Sequence, residues 1–245
     1  MLERLCDAGF ELLFTSHAEA IILHDFPELV EELESSLLGI SLPMTEIIGG
    51  GGGEAKMTQR LRRGLAAKEW TKHNFELKKT VDGVAKESIS HEIDHVRRTK
   101  SGVFALEIEW NNKDPFFDRD LENFKRLHAE GAISVGGIVT RGSAMQSEMR
   151  ERVERFATDR SIANFEALAE FGAGSPTGPQ RKQIEADIAR GTEFAKAWSR
   201  KFTSDKFGQA TTHWSKLQDR VHRGVGNPCP LVLIGLPPSI IDMTA

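Results

Sequence analysis

IDHVRRTKSGVFALEIEWNN, Ile93 to Asn112, decides how the rest of the chain is read. A β-like run carries Asp94, a polar turn spans Arg97 to Gly102, and an apolar run from Val103 to Trp110 carries Glu107 and Glu109. Side chains alternate faces along a strand, so residues two apart point the same way. Glu107 and Glu109 therefore share a face, with Ile108 opposite, and hairpin pairing of the two runs lets Asp94 join them. The flanking Phe104, Ala105, Leu106, Ile108 and Trp110 belong to a covered strand rather than a solvated one. Carboxylates in such a strand are costly unless paired or metal-bound. A hard divalent cation such as Mg²⁺, which takes oxygen ligands, would relieve that cost.

Upstream, Asn74–Val81 and Lys86–Val96 have strand character, with Asp82-Gly83 as a two-residue hairpin turn. Lys56–Trp70 is helical in pattern and basic on one face. The five glycines Gly49–Gly53 form a loop that is also a candidate anion cradle, without the Lys-Ser/Thr of a phosphate-binding loop. A helix is predicted from Asp25 as N-cap, through Phe26 and Pro27, to Leu38-Gly39. Downstream, Asp114-Pro115 opens a helix to Ala129, Ala132–Thr140 is a buried-type strand, and Ser143–Phe156 is an amphipathic helix. Ser161–Gly178 is irregular, Lys182–Phe202 helical, Thr203–Gly208 a turn and Thr211–His222 helical. Pro230–Leu236 is a last buried strand that should join the same sheet. A meander followed by helix, strand and helix predicts an α/β (α+β) fold, a central mixed β-sheet flanked by helices, in one domain over 1–245.

The 245 residues permit a substantial core, and 39% hydrophobic and 28% charged residues are ordinary for a globular chain. The net charge of −4 does not by itself point to nucleic acid, but the distribution is uneven. Phe194–Gly224 holds Lys196, Arg200, Lys201, Lys206, Lys216, Arg220 and Arg223 against Asp205 and Asp219. Lys56–Lys72 holds Arg60, Arg62, Arg63 and Lys68 against Glu69. Acid gathers at Glu28, Glu31, Glu32 and Glu34. Cys6 and Cys229 have no metal-ligand spacing and no disulfide framework, which suits a reducing, cytoplasmic compartment. No membrane span or signal peptide is expected.

Asp94, a gap, then Glu107-Ile108-Glu109 on a strand resembles the PD-(D/E)xK nuclease pattern. The usual Lys of that pattern is replaced by Glu109. This is similar to the branch of type II restriction endonucleases typified by BamHI and BglII, which carry Glu or Gln there. Asn112 three residues on, Pro115-Phe116 opening a helix, the segment Ile138–Gly142 (IVTRG), and Lys68-Glu69-Trp70 upstream extend the likeness over about residues 50–142. The stretch 157–245 would then supply recognition elements and the last sheet strand.

The resemblance implies Mg²⁺-dependent hydrolysis of phosphodiester bonds in double-stranded DNA at a short, palindromic sequence, leaving 5′-phosphates. Mn²⁺ would substitute, and Ca²⁺ would support binding only. Asp94, Glu107 and Glu109 would be catalytic, and Asp94, Glu107 and the Ile108 backbone carbonyl would bind metal. A carboxylate at 109 would take a proton from the attacking water. Glu69, His73 and Glu76 are candidate helpers. Asn112, Arg119, Thr140, Arg141, Lys206, Gln209, Thr211, Thr212 and His213 are the candidate DNA contacts, Arg141 for guanine in the major groove. A palindromic site implies a homodimer, with Phe116–Ala129 and Ser143–Phe156 as candidate interface helices. A cognate DNA methyltransferase is the expected companion activity. A repair or structure-specific nuclease of the same superfamily is an alternative reading, and so is a non-catalytic DNA-binding protein. The first would cut without a fixed fragment ladder; the second would not cut at all.

Overall fold

The computed structural model describes residues 2–50 and 53–244. In chain order these form α1 (Glu3–Asp7), β1 (Glu11–Thr15), α2 (Ala18–Asp25), α3 (Pro27–Leu38), β2 (Leu42–Pro43), α4 (Met44–Ile48) and α5 (Lys56–Ala66). Next come β3 (Thr71–Val81), β4 (Val84–Arg98), β5 (Val103–Glu109), α6 (Phe116–Ala129), β6 (Val135–Arg141) and α7 (Ser143–Asp159). The chain continues through α8 (Phe165–Glu170), α9 (Gly178–Ala189), α10 (Phe194–Lys206), α11 (Trp214–His222), β7 (Leu231–Leu236) and β8 (Ile241–Asp242).

The main sheet has six strands in the order β1-β7-β6-β5-β4-β3. β5, β6 and β7 run parallel, and the other pairs are antiparallel, so the sheet is mixed. Alternation along β5 splits the core. Phe104, Leu106 and Ile108 face a large cluster that includes residues of α3, α5, α7 and α10, while Ala105 faces Phe117, Leu121 and Phe124 of α6 and Leu217 of α11. β7 sits inside the sheet between β1 and β6, as its continuous apolar run predicts. Where β6 crosses α6, a Cβ at Gly136 would lie 2.7 Å from the Phe124 ring, so this strand admits no side chain there.

Several boundaries differ from the sequence reading. Asp25 closes α2 instead of capping α3, whose N-cap is Phe26 with Pro27 first in the helix. The basic helix stops at Ala66, and Glu69 takes a left-handed backbone (φ 65°) that turns the chain into β3. The long helix expected over Lys182–Phe202 is two, broken at Gly191 (φ 92°), a conformation L side chains resist. The second runs on to Lys206, so the turn expected from Thr203 begins only at Phe207. The Asp82-Gly83 turn forms as expected, both residues at positive φ. Of the glycine run Gly49–Gly53, Gly51 and Gly52 lie outside the described residues, so the anion-cradle reading does too. Among the described residues no helix is long and apolar enough to cross a membrane.

Candidate active site

β5 sets Glu107 and Glu109 on the side of the sheet that faces α6, with Ile108 on the other. Both glutamates are buried, at 4% and 3% exposure. The third acid comes from β4, which pairs with β5 only from His95↔Leu106 to Arg98↔Val103. Just past that ladder the Asp94 amide points at Glu107 Oε1, 3.4 Å away. The β3–β4 register slips at this place. Thr71 pairs with Val96 and His73 with Ile93, so Lys72 alone stands opposite Asp94 and His95. Such a bulge re-aims a side chain. It leaves the Asp94 carboxylate half-exposed, 3.6 Å from Lys72 Nζ, whose shorter contact (2.6 Å) is to Glu92.

A fourth carboxylate was not anticipated. Asp120 of α6 is 1% exposed and faces the two glutamates. The signal for it lay in the helix pattern. Phe117, Leu121, Phe124 and Leu127 make the buried stripe, and Asp120 is the one acid within it. Arg119 beside it is half-exposed. It donates from Nε to Asp120 Oδ1 (2.8 Å), its NH2 group lies 3.5 Å from Glu109 Oε1, and its guanidinium stacks 4.4 Å from the Phe116 ring. Asn112 Nδ2 donates to Glu109 Oε2 at 2.6 Å.

Burial, then the charges of Asp120 and Asp94, pushes the Glu107 carboxyl well above the usual range. Glu109 is pushed up to about 8, by burial first and by Asp120 next, against the Asn112 hydrogen bond. Burial also raises Asp120, against the pull of Arg119, and its Oδ2 has no hydrogen-bond partner. No cation of the described residues pairs with Glu107.

An acid-rich, cation-poor cluster with an orphaned buried oxygen is a donor set that fits a hard divalent ion. Asp94, Glu107 and the Ile108 carbonyl are the groups that would hold it. The Glu109 carbonyl accepts from Thr140 on the β6 side, so by alternation that of Ile108 points to the β4 side, beyond the end of the β4 ladder. Among the described residues no three His, Cys, Asp or Glu side chains already converge on one metal position. The three acids of the sequence reading are thus neighbours without a common focus, because the bulge turns Asp94 outward.

The other sequence-predicted residues divide by burial. Arg141 is fully buried: it donates to Asn111 Oδ1 (2.6 Å), Thr211 Oγ1 (2.8 Å) and the Thr212 carbonyl (2.8 Å), and its guanidinium lies 4.9 Å from the Phe207 ring. With no carboxylate beside it, burial lowers its pKa to about 9. The loop position expected for base readout is therefore occupied by a brace. The fold covers the end of β6 with the 208–213 segment, which also binds Asn112 through Thr212 N→Asn112 O (2.9 Å) and Asn112 N→Thr212 Oγ1 (3.0 Å). Thr140, Thr212 and His213 are buried with it, and the His213 pKa falls to about 4, by burial and then the Arg141 charge. Lys206 donates to the carbonyls of Ile47 and Gly49. Asn112, Arg119 and Gln209 remain at the surface, and Thr211 is half-buried.

The three candidate helpers are engaged away from the buried acids. Glu69 pairs with Arg97 (3.1 Å), Glu76 with Lys78 (3.0 Å), and the His73 ring packs edge-on against Phe75. The basic surface is also reduced. Arg220 is held by Asp114 and Asp118, Arg200 by Asp187, Arg60 by Glu46 and Arg62 by Glu54. A cleft of about 1210 Å³ opens beside the site, and Lys56, Arg62, Lys72, Asp94, Ile108 and Asn112 are among its walls.

No curated protein matches the chain. A family model described as restriction endonuclease BglII/BglIII matches residues 10–236, from the start of β1 to the end of β7. The acids on β4 and β5, the mixed sheet that carries them and a match over nearly the whole length agree. The chain belongs to the BglII/BglIII family of type II restriction endonucleases, site-specific deoxyribonucleases that act on double-stranded DNA.

Proposed function

We propose that this endonuclease hydrolyses DNA with Mg²⁺ at a short palindromic sequence, as a homodimer within one restriction–modification system, and leaves 5′-phosphate ends. Restriction endonucleases generally use divalent metal ions. The observation that carries the reading is the juxtaposition of Asp94 with the buried pair Glu107 and Glu109, the latter gripped by Asn112.

Asp94, Glu107 and the Ile108 carbonyl would hold the ion. The chemistry it supplies when bound is neutralisation of phosphate charge and a more acidic water. Glu109 in its charged form, which a bound cation would favour, accepts the proton of the attacking water. Asn112 and Arg119 keep Glu109 oriented and favour its charged form. The new bond joins water oxygen to phosphorus, the bond from phosphorus to the 3′ oxygen breaks, and the departing oxygen takes a proton to become a 3′-hydroxyl. Two copies related by a two-fold axis match the two strands of a palindrome.

Phage genomic DNA incubated with the protein and Mg²⁺ tests this reading. A discrete fragment ladder is expected, with ends that a ligase joins without added kinase. Glu107→Ala should abolish the ladder and leave DNA binding in Ca²⁺. A smear, or no cutting in Mg²⁺ or Mn²⁺, would sink the proposal.

A further inference from the structure

β3 and β4 pair along their whole length to the turn at Asp82-Gly83, but β4 pairs with β5 only from His95 onward. The stretch 73–93 therefore leaves the sheet as a two-stranded ribbon of about 30 Å, at ~3.3 Å per residue along its outward strand. Directly opposed residues share a face, so its two faces read off the register. One carries Phe75, His91 and Ile93, all buried, then Leu77 and Ile89 half-buried, then Lys79 exposed, and Val81 and Val84 exposed at the tip. Phe75 and Ile93 pack into the α6 side of the core, which fixes the ribbon's orientation at its base.

The other face is polar from the bulge as far as Lys78 and Ser88. From the bulge outward it presents Lys72, then Asn74 opposite Glu92, Glu76 opposite Ser90, and Lys78 opposite Ser88, all exposed. Its two acids are held by its own lysines: Lys72 by Glu92 at 2.6 Å and Lys78 by Glu76 at 3.0 Å. Ser90 donates to Asn74 Oδ1 at 2.5 Å, which leaves the Asn74 amide group as a donor. At the base, Lys72 and Asp94 line the cleft beside the active site, so this face continues the cleft wall outward from the catalytic acid.

We propose that the β3–β4 ribbon is a DNA-embracing arm, and that its polar face, through Asn74, Lys78 and Ser88, lies in a groove of the duplex held in the cleft. The inference rests on the endonuclease reading and adds the recognition element. Three features favour DNA over a second protein surface. As far as Lys78 and Ser88 the face carries short hydrogen-bonding side chains and lysines, its two acids already paired with those lysines, and no apolar group, which is the chemistry of phosphate and base-edge contacts. A two-stranded ribbon has the dimensions of the major groove. A free hairpin this long is marginal in water, and a duplex against it would supply the contacts that the sheet does not.

The full-length protein with Cys6→Ser, which leaves only the buried Cys229, would carry Ser88→Cys labelled with an azidophenacyl group. A second variant would carry the label at Val84→Cys on the apolar face. With a fluorescein-labelled duplex of mixed sequence in Ca²⁺, illumination should crosslink the Ser88 label to DNA and leave the Val84 label at background. Lys78→Ala should lower the slope of log affinity against log salt by about 1. Equal crosslinking from both faces, crosslinks between subunits only, or an unchanged salt slope would overturn the arm. If the protein binds and cuts DNA yet the Ser88 label stays silent, the arm alone fails. If it neither binds nor cuts, the endonuclease reading fails with it.

Discussion

Asn112 donates its side-chain amide to Glu109 Oε2 across 2.6 Å, just past the end of β5. Two hydrogen bonds to Thr212, and Arg141 beneath both Asn111 and Thr212, hold this turn in place. The carboxylate proposed as the base is thus aimed by a residue whose own position is set by a segment about a hundred residues away, the separation of Asn112 and Thr212.

Asn112→Ala removes the amide from Glu109. A hydrogen bond to a charged group contributes about 1.5–3 kcal/mol, so the initial rate of phage-DNA cutting should fall roughly 10- to 100-fold. Asn112 is at the surface, so the thermal midpoint should hardly move. Wild-type cutting by this variant would remove Asn112 from the mechanism.

Glu109→Gln should make stability less dependent on pH. Glu109 is raised to about 8 in the fold from an ordinary value near 4.5. Below 4.5 it is protonated in both states and contributes no difference. Between 4.5 and 8 the unfolded chain has lost its proton and the fold retains it, so stability falls as pH rises through this window. The glutamine variant should therefore gain thermal midpoint over wild type at pH 8 and little at pH 4.5, each kcal/mol being worth roughly 2–4 °C in a chain of this size. A gain equal at both pH values would show that this proton is not involved.

Arg141→Met would leave Asn111, Thr211 and the Thr212 carbonyl without their donor. Loss of several charge-assisted hydrogen bonds around a buried site should cost about 3 kcal/mol or more, read as a midpoint lowered by roughly 6–12 °C. A direct base reader would instead change the fragment ladder at a native midpoint, and that result would restore Arg141 to the DNA interface.

Gly136→Ala should destabilise by about 1–3 kcal/mol in chemical denaturation, because the new Cβ falls 2.7 Å from the Phe124 ring between sheet and helix. Paired with Phe124→Leu, the loss should shrink, since the smaller side chain yields the space. An additive double mutant would mean the two do not meet.

Much of the frame was legible in the chain. Strand alternation placed Glu107 and Glu109 on one face, the Asp82-Gly83 pair marked the turn, and the apolar run at the C-terminal end predicted an inner strand. These are local properties, fixed by backbone geometry and side-chain period within a few residues. The tertiary structure alone decided the rest. A one-residue bulge turned Asp94 toward the cleft, because it depends on where β3 and β4 slip against each other. Asp120 became the fourth acid only when α6 packed on β5. Arg141, one residue past the strand read from the sequence, is the last residue of β6, yet lies at zero exposure under a loop that returns from Gly208 to His213. Burial of a charge depends on distant segments that cover it, and no spacing within a strand encodes that cover.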